Sequence, residues 1–353
     1  MENNREVLLS ISNLKQYFPL KKGRFVKAND GVSLDIYKGE TFGLVGESGC
    51  GKSVLNKNFI GLLDQNGFIE GGTIRYYGMD AEYMEDDDDA ETDETDGRKY
   101  LDLAKFSKNE DWLRIRGSEI CMVPQDPMTS LNPTYTIGHQ LMEAILLHTD
   151  RDKKQAEERA IEMLKLVNIN EPEKRMKQYP FEFSGGMRQR VMIAMALACE
   201  PDILIADEPT TALDVTISAQ IFDLMNNLKK EHNTAIMMIT HNMGVVAEMA
   251  DEVAVMYMGN IVEYGPVEKI FTNPSHPYTK ALLKSIPVLG KGKNQQLEPI
   301  RGSTPDPFNR PKGCQFCPRC DYACERCQNE MPPEEWVTEG HYVRCFNYKE
   351  VTE

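Results

Sequence analysis

The segment GESGCGKS, residues 46–53, has the glycine, lysine and hydroxyl spacing of a phosphate-binding loop. Its glycines let backbone amides turn toward phosphate oxygens, Lys52 can reach the terminal phosphates, and Ser53 can hold Mg²⁺. Chemistry there requires only the backbone of Cys50, so we interpret Cys50 as a small loop residue rather than a redox thiol. The predicted phosphate-binding residues are Gly46, Glu47, Ser48, Gly49, Cys50, Gly51, Lys52 and Ser53.

Two carboxylates, Asp207 and Glu208, follow the apolar run ILIA at residues 203–206. In open α/β sheets, ligands bind outside the carboxyl ends of the strands. We expect Asp207 to hold Mg²⁺ through water and Glu208 to polarise an attacking water molecule. Two acids after a strand are by themselves more often a turn or a helix cap. Their occurrence with the phosphate-binding loop favours a hydrolytic site.

A second candidate anion site is Ser184-Gly185-Gly186, where a hydroxyl and free backbone amides open a predicted helix. An ordinary helix N-cap is the simpler interpretation of this triplet alone. In the expected topology it cannot reach the phosphate-binding loop of its own chain. Two anion sites on one chain therefore suggest that two chains enclose nucleotide between them.

The elements that must position these residues alternate along the chain. Apolar runs predict strands at 32–36, 42–45, 120–123, 203–206 and 235–239, and a hairpin around residues 258–260. Helical spacing marks the residues after the phosphate-binding loop, much of 135–178, the stretch from the Ser184 triplet to Cys199, and a stripe at 217–228. The three prolines of 124–133 exclude helix there. This alternation predicts an α/β layered core with a parallel sheet.

Composition narrows the class of protein. The 353 residues carry a formal charge of −15 with a pI near 5.0, which argues against a nucleic-acid binder. Residues 81–96 hold ten acids and no base, and without them the charge falls to −5. We predict a solvated loop at 80–110. The longest apolar run, 191–199, is shorter than the ~20 residues of a membrane span, and we expect no secretory signal.

Six of the nine cysteines lie between Cys314 and Cys345, after proline and glycine become frequent beyond residue 272. A cysteine-rich tail in a chain without an export signal favours a metal site over disulfides. The spacing of Cys314, Cys317, Cys320 and Cys324 is that of a ferredoxin run. Spacing alone leaves an iron–sulfur cluster, tetrahedral Zn²⁺ and reduced thiols without metal open.

Together the motifs resemble the nucleotide-binding subunit of an ATP-binding-cassette (ABC) transporter. FSGGMRQR at 183–190 resembles the family signature, with Met187 where many members have Gln, and 207–210 resembles the Walker B segment. The resemblance covers 7–270 and implies ATP and Mg²⁺ as ligands. It also implies a P-loop cassette with a parallel-sheet RecA-like core, an antiparallel β subdomain and a helical subdomain at about 128–190.

The resemblance adds site residues that spacing alone does not single out. Gln125 matches the Q-loop, which senses Mg²⁺ and couples to the membrane subunit, and His241 matches the switch histidine that contacts the γ-phosphate. Asp214, in Ala212-Leu213-Asp214, matches the D-loop. Phe18 or Tyr17 resembles the aromatic residue that stacks on adenine, and we favour Phe18. The expected catalytic residues are Lys52, Gln125, Glu208 and His241.

A narrower resemblance is to the ATPases of oligopeptide and dipeptide importers, carried by QDPMTSLNP at 125–133, DEPTTALDVT at 207–216 and NPSHPYTKALL at 273–283. Asn242 departs from the acid often found at its position, without touching the phosphate chemistry. The resemblance implies a second, different ATPase subunit, two transmembrane permease subunits and an extracytoplasmic peptide-binding protein. It places the chain peripherally at the cytoplasmic face of the cell membrane.

The same resemblance divides the chain into an ATPase domain, 1–272, with an acidic insertion at about 80–110, and a C-terminal region, 273–353. In that region it implies a [4Fe–4S] cluster, with Zn²⁺ as the alternative, on Cys314, Cys320, Cys327 and Cys345.

The sequence leaves other functions to consider beside peptide uptake. Uptake of nickel or glutathione, and an ATPase gated by an iron–sulfur tail, remain alternatives. A soluble cassette ATPase acting on nucleic acid is disfavoured, because the chain has one cassette and an acidic pI.

Overall fold

Two β-sheets and a layer of helices make up the structure, a computed structural model that describes residues 5–64, 66–85, 87–210, 213–285 and 299–352. The strands are β1 (Val7–Pro19), β2 (Phe25–Tyr37), β3 (Thr41–Val45), β4 (Phe68–Tyr76), β5 (Ala90–Thr92), β6 (Lys99–Asp102), β7 (Ile120–Val123), β8 (Ile203–Asp207), β9 (Ala235–Thr240), β10 (Glu252–Tyr257), β11 (Asn260–Pro266), β12 (Glu335–Thr338) and β13 (His341–Val343). The helices are α1 (Lys52–Asn58), α2 (Ala81–Glu85), α3 (Asn109–Leu113), α4 (Pro127–Ser130), α5 (Ile137–His148), α6 (Lys153–Leu166), α7 (Pro172–Arg175), α8 (Gly185–Ala198), α9 (Val215–His232), α10 (Met243–Met249), α11 (Val267–Thr272), α12 (Pro277–Lys284), α13 (Glu325–Asn329) and α14 (Tyr348–Thr352).

The main sheet has the strand order β12-β13-β11-β10-β3-β9-β8-β7. The pairs β10–β3, β3–β9, β9–β8 and β8–β7 are parallel, whereas β10–β11 is the antiparallel hairpin expected around 258–260. Every residue of β3, β8 and β9 is buried, because one face of the sheet packs against α1 and a second, antiparallel sheet and the other against helices. Strands covered on both faces read as continuous apolar runs. The predicted α/β core with a parallel sheet is confirmed, within a sheet that is mixed overall.

Helices α5, α6 and α8 pack on one another beside β7. Their apolar faces join one buried cluster, which includes Leu141, Ala160, Leu164 and Val191. The helix predicted from the Ser184 triplet to Cys199 is present as α8. Among the described residues, none of the helices is both long and apolar enough to cross a bilayer.

The second sheet is antiparallel, with the order β2-β1-β4-β6-β5. Leu9, Ile11, Ile36 and Ile74 are buried in it and share a cluster with Leu55 of α1. This packing fixes the end of β1, which carries Phe18, beside the phosphate-binding loop.

The prediction of a solvated loop at 80–110 is wrong for the described part of that segment, which contains α2, β5, β6 and α3. Met84, Leu101 and Leu103 are at most 1% exposed and anchor it to the main core, where Trp112, just after the segment, is also buried. The segment therefore supplies apolar anchors of its own, which a count of its charges overlooks.

Arginines outside the acidic run pair with its carboxylates. Arg114 binds Asp87 and Asp89, and Arg75 donates to Asp93 at 2.9 Å. This pairing offsets repulsion between the carboxylates of the run. Asp86 lies outside the described residues.

The prediction that residues 124–133 contain no helix is wrong, because α4 forms a single helical turn within them. Asp126 caps it by accepting a hydrogen bond from the amide of Met128 at 2.8 Å. Pro127 occupies the first helical position, where proline is tolerated because no amide hydrogen is needed there. The proline rule excludes the interior of a helix and not its first residue.

The described part of the C-terminal region continues the main sheet and its core. β13 pairs with β11, and the rings of Tyr342 and Tyr264 stack with centroids 5.4 Å apart. Phe316 packs against Tyr257 and Tyr278 in a third apolar cluster. Part of the proline- and glycine-rich stretch, residues 286–298, lies outside the described residues.

Candidate active site

A cleft of about 490 Å³ lies at the carboxyl ends of β8 and β9, beside the loop between β3 and α1. It brings together most of the residues that the sequence singled out. The predicted residues that line it are Phe18, Ser48, Gly49, Cys50, Gly51, Lys52, Ser53, Gln125, Asp207, Glu208 and His241.

The phosphate-binding loop has a backbone that only glycine can supply at two of its positions. Gly51 has φ = 112°, and a Cβ atom there would lie 2.4 Å from the carbonyl oxygen of Ala28. A Cβ on Gly46 would lie 2.2 Å from the carbonyl oxygen of Met256. Neighbouring backbone thus presses on the loop from both sides, so the loop conformation depends on these two glycines.

Lys52 is 8% exposed and lies under the loop. Its Nζ atom donates to the carbonyl oxygens of Gly46 at 2.8 Å and Glu47 at 3.1 Å. The cation is therefore held at the loop, where phosphate oxygens would compete for its hydrogen bonds. Burial raises the pKa of the Cys50 thiol, so Cys50 is a neutral filler there.

Ser53 and Asp207 lie near each other and both line the cleft. Asn56 donates to the same carboxylate at 3.0 Å. Burial raises the pKa of Asp207, while the hydrogen bond from Asn56 and the nearby Ser53 hydroxyl oppose that shift. A hydroxyl and a carboxylate side by side are hard oxygen donors, which Mg²⁺ prefers.

Glu208 has a backbone φ of 49°, and its amide donates to the carbonyl oxygen of Ile239 at 2.8 Å. Its Oε1 atom lies 2.8 Å from Nδ1 of His241, and its Oε2 atom accepts from Nε2 of Gln125 at 3.0 Å. Side chains that follow β7 and β9 therefore orient a carboxylate at the end of β8.

The adenine-side aromatic residues take different positions. Phe18 lines the cleft, whereas Tyr17 is buried and its hydroxyl donates to Asp30 at 2.6 Å. Of the two, Phe18 is thus the one available to a ligand.

Ser184, Gly185, Gly186 and Asp214 are not among the residues that line the cleft. Ser184 and Asp214 are exposed and cap the starts of α8 and α9, accepting from Met187 at 3.3 Å and Ile217 at 3.0 Å. Ala212 of the expected D-loop lies outside the described residues.

Sequence reasoning missed one wall of the cleft. Thr304, Pro305, Pro307 and Arg310 of the C-terminal region line it, and Arg310 pairs with Asp30 at 3.4 Å. No motif marks these residues, because the contact joins segments almost 300 positions apart.

A second contact that the sequence does not predict joins the phosphate-binding loop to the C-terminal region. The Arg319 guanidinium donates to both carboxylate oxygens of Glu47, at 2.6 and 3.0 Å, and the Tyr278 hydroxyl accepts from the Glu47 amide at 2.8 Å. The hydrogen bond to Glu47 raises the pKa of Arg319. The only sequence signal nearby was the cysteine spacing around Arg319, which does not predict this contact.

The cysteines expected to bind metal lie in one neighbourhood of the C-terminal region. Burial raises the pKa of Cys314 to about 11 and of Cys320 and Cys345 to about 12, and raises that of Cys327. In the described ranges, no three or more His, Cys, Asp or Glu side chains form a group that could hold a metal ion. The thiols are thus neutral neighbours in this conformation.

The phosphate-binding loop, the oxygen pair and the oriented glutamate on a parallel sheet define an ATP-binding cassette. A family model described as ABC transporter matches residues 29–211, and one described as oligopeptide/dipeptide transporter, C-terminal region, matches residues 262–327. The chain belongs to the ABC transporter family, as an ATP-hydrolysing subunit coupled to transport.

Curated relatives match over nearly the full chain. The oligopeptide transport ATP-binding protein AppD of Bacillus subtilis is 47% identical over 97% of this chain and 97% of its own length. The dipeptide transport ATP-binding protein DppD of the same organism is 47% identical, with 97% and 95% covered. The oligopeptide transport protein AmiE of Streptococcus pneumoniae is 44% identical, with 98% and 91% covered.

Solved structures share the fold. A dimeric ATP-binding cassette in a post-hydrolysis state bound to ADP and Pi aligns with a TM-score of 0.60 at 24% identity, covering 74% of this chain and 99% of that one. A component of an ABC transporter complex from Clostridium perfringens aligns with a TM-score of 0.57 at 25% identity, covering 75% and 91%.

Proposed function

We propose that this chain hydrolyses ATP to power the uptake of oligopeptides or dipeptides through partner permeases. The observation that carries the ATPase part is the convergence of Lys52, the Ser53–Asp207 pair and the Glu208–His241 pair on one cleft. The peptide part is supported by the match of residues 262–327 and by the printed functions of the relatives.

The phosphate-binding loop and Lys52 would bind the phosphates of ATP. Backbone amides of the loop would face the phosphate oxygens, and Lys52 would exchange its bonds to Gly46 and Glu47 for bonds to the β- and γ-phosphates. Ser53 and Asp207 would hold Mg²⁺, with Gln125 nearby, and the ion would neutralise charge on the phosphates. Phe18 would stack on adenine.

Glu208 would activate the attacking water molecule. Its carboxylate would orient the attacking water and take a proton from it, while the His241 imidazole, 67% exposed, would turn toward the γ-phosphate. The Gln125 amide donates to the same carboxylate, so a nucleotide that displaces the Glu208 side chain would also shift Gln125.

A second cassette would complete the site. Ser184, Gly185, Gly186 and Asp214 lie outside the cleft of their own chain, and Ser184 and Asp214 are exposed. In a head-to-tail pair they would close on the nucleotide of the partner, which we propose is a different ATPase subunit.

The permeases would dock on an apolar groove beside Gln125. The groove has a volume of about 320 Å³ and lies between β7, α5, α8 and the residues that follow α1, with Leu62, Pro124, His148 and Met195 in its lining. A short helix of a membrane subunit would bury this surface, which would place the chain peripherally at the cytoplasmic face. Met195→Lys should leave ATP binding unchanged and abolish co-purification with the permeases; retained co-purification would exclude the groove.

The cysteine neighbourhood could hold a [4Fe–4S] cluster, or Zn²⁺, through Cys314, Cys320, Cys327 and Cys345. Cys314, Cys327 and Cys345 raise the pKa of Cys320, and Cys314 and Cys327 raise that of Cys345, so the four thiols lie near one another. In the described residues they do not form a group that could hold a metal ion. Anaerobically purified protein should be brown and contain iron and sulfide, and Cys320→Ser should bleach it. Colourless protein with zinc would favour the alternative, and protein without metal would exclude both.

Peptide uptake is tested in lipid vesicles that contain this chain, its partner cassette and two permeases. An external peptide-binding protein loaded with labelled peptide should stimulate ATP hydrolysis, and the labelled peptide should accumulate inside the vesicles. Stimulation by a nickel chelate or by glutathione, but not by any peptide, would contradict the proposal.

A further inference from the structure

Glu47 introduces a negative charge into a loop whose task is to bind a polyanion. Its carboxylate belongs to the segment between Gly46 and Lys52, and its side chain is 29% exposed. Left unpaired, this charge would repel the phosphates of ATP across a partly buried site, where screening by water is weak.

The C-terminal region supplies the compensating charge. The Arg319 side chain is 3% exposed and binds Glu47 through two parallel hydrogen bonds of 2.6 and 3.0 Å. Its Nε atom donates to the carbonyl oxygen of Arg301 at 2.9 Å, and a guanidinium nitrogen lies 3.4 Å from the Tyr257 hydroxyl. The planar guanidinium is thus fixed on both sides, which gives the pair a defined geometry.

We propose that Arg319 is a positioning residue for nucleotide binding, which neutralises and anchors Glu47 so that the phosphate-binding loop accepts ATP. The C-terminal region would then be part of the nucleotide site through a charge as well as through the wall formed by residues 304–310. The proposal rests on the proposed role of the loop in binding phosphate.

The test is a charge cycle in the full-length protein, with Mg-ATP titrated calorimetrically. Arg319→Gln leaves one negative charge beside the phosphates and should weaken ATP binding about tenfold. Glu47→Gln leaves one positive charge and should strengthen binding. The double variant restores the parental charge and should recover most of the affinity lost in Arg319→Gln.

A purely structural role for Arg319 predicts a different order of affinities. Both variants that lack Arg319 would then bind weakly, and equal affinities of Arg319→Gln and its double variant would overturn the proposal. Arg319→Lys, which keeps the charge without the paired geometry, should lie between the parent and Arg319→Gln.

Two controls separate this outcome from loss of folding and from failure of the proposed function. Arg301→Gln, in the same region with a side chain 79% exposed, should bind ATP as the parent does. Thermal unfolding without nucleotide identifies any variant that fails to fold. If the folded parent binds no ATP, the proposed function is wrong; if it binds and Arg319→Gln binds equally well, only the role of Arg319 is wrong.

Discussion

The Nδ1 atom of His241 lies 2.8 Å from a carboxylate oxygen of Glu208, at the end of the neighbouring strand. The second carboxylate oxygen accepts from Gln125 at 3.0 Å. The glutamate is therefore oriented by side chains of its own chain. The positive φ of Glu208 adds a backbone constraint to the same residue, and such constraints concentrate at functional sites.

Glu208→Gln should lower ATP turnover by about 100-fold or more, because an amide cannot accept the proton of the attacking water. ATP binding should persist, since Glu208 is not expected to hold the phosphates, and the variant should accumulate as a nucleotide-bound dimer. Phosphate release and size-exclusion chromatography measure the two effects. Glu231→Gln, at an exposed position of α9, is the matched control. Parental turnover in Glu208→Gln would rule out Glu208 as the base.

Lys52→Ala should weaken ATP binding by at least about tenfold, because it removes a buried cation from the phosphate-binding loop. Lys57→Ala is the control on the same helix: Lys57 pairs with Asp64 at 3.2 Å and does not line the cleft. Calorimetric titration with Mg-ATP separates the two. Equal losses in both variants would mean that the effect is general to α1.

Asp93→Asn should lower the midpoint of thermal unfolding by several degrees. The Asp93 carboxylate accepts from Thr95, from the Tyr77 hydroxyl at 2.7 Å and from Arg75, and these hydrogen bonds hold its pKa below the usual value of 3.8. Its contribution is therefore present above about pH 4 and is lost as the pH falls further.

The matched control for Asp93 is Asp88→Asn, an exposed position of the same acidic segment, which should leave the midpoint unchanged. ATP turnover should be parental in both variants at temperatures where they are folded. An unchanged midpoint in Asp93→Asn would mean that these hydrogen bonds do not stabilise the segment, as expected for a solvated loop.

His276 predicts a pH dependence of stability. Burial lowers its pKa from 6.5 to about 3, and its Nδ1 atom accepts from the Tyr278 amide at 3.0 Å, beside the buried carboxylate of Glu263. Below about pH 6.5 the unfolded chain takes up a proton that the folded chain excludes. The free energy of unfolding should therefore fall by about 1.4 kcal/mol per pH unit on acidification toward pH 3 because of His276 alone.

His276→Asn keeps an acceptor for the Tyr278 amide and removes the titrating ring. Urea unfolding of both proteins across the acidic range should show a shallower pH dependence in the variant, because all other titrating groups are shared. Identical slopes would mean that the imidazole is protonated in the folded protein.

Local patterns predicted most of the elements around the site. The apolar runs of β3, β8 and β9 and the capped start of α8 are each encoded within a few residues, so alternation and spacing identify them. Glycine spacing likewise predicts the phosphate-binding loop, because the backbone itself makes that site.

Contacts between distant segments were not predictable in the same way. Arg319 and Glu47 are 272 positions apart, and nothing in either local sequence indicates the other. The structure of the acidic segment depends on such contacts too, because Arg75 and Arg114, which pair with its carboxylates, lie outside the acidic run. β13 is only three residues long, too short for alternation to identify, and it exists because β11 offers an edge.

The wall that Thr304, Pro305, Pro307 and Arg310 build along the cleft has a bearing on selective inhibition. These residues lie beyond 29–211, the part matched by the general cassette family, so a compound that reaches past the phosphates to the two prolines contacts chemistry that the general match does not specify. An inhibitor that contacts the two prolines could therefore be selective for transporters of this kind over the many other enzymes that hydrolyse ATP.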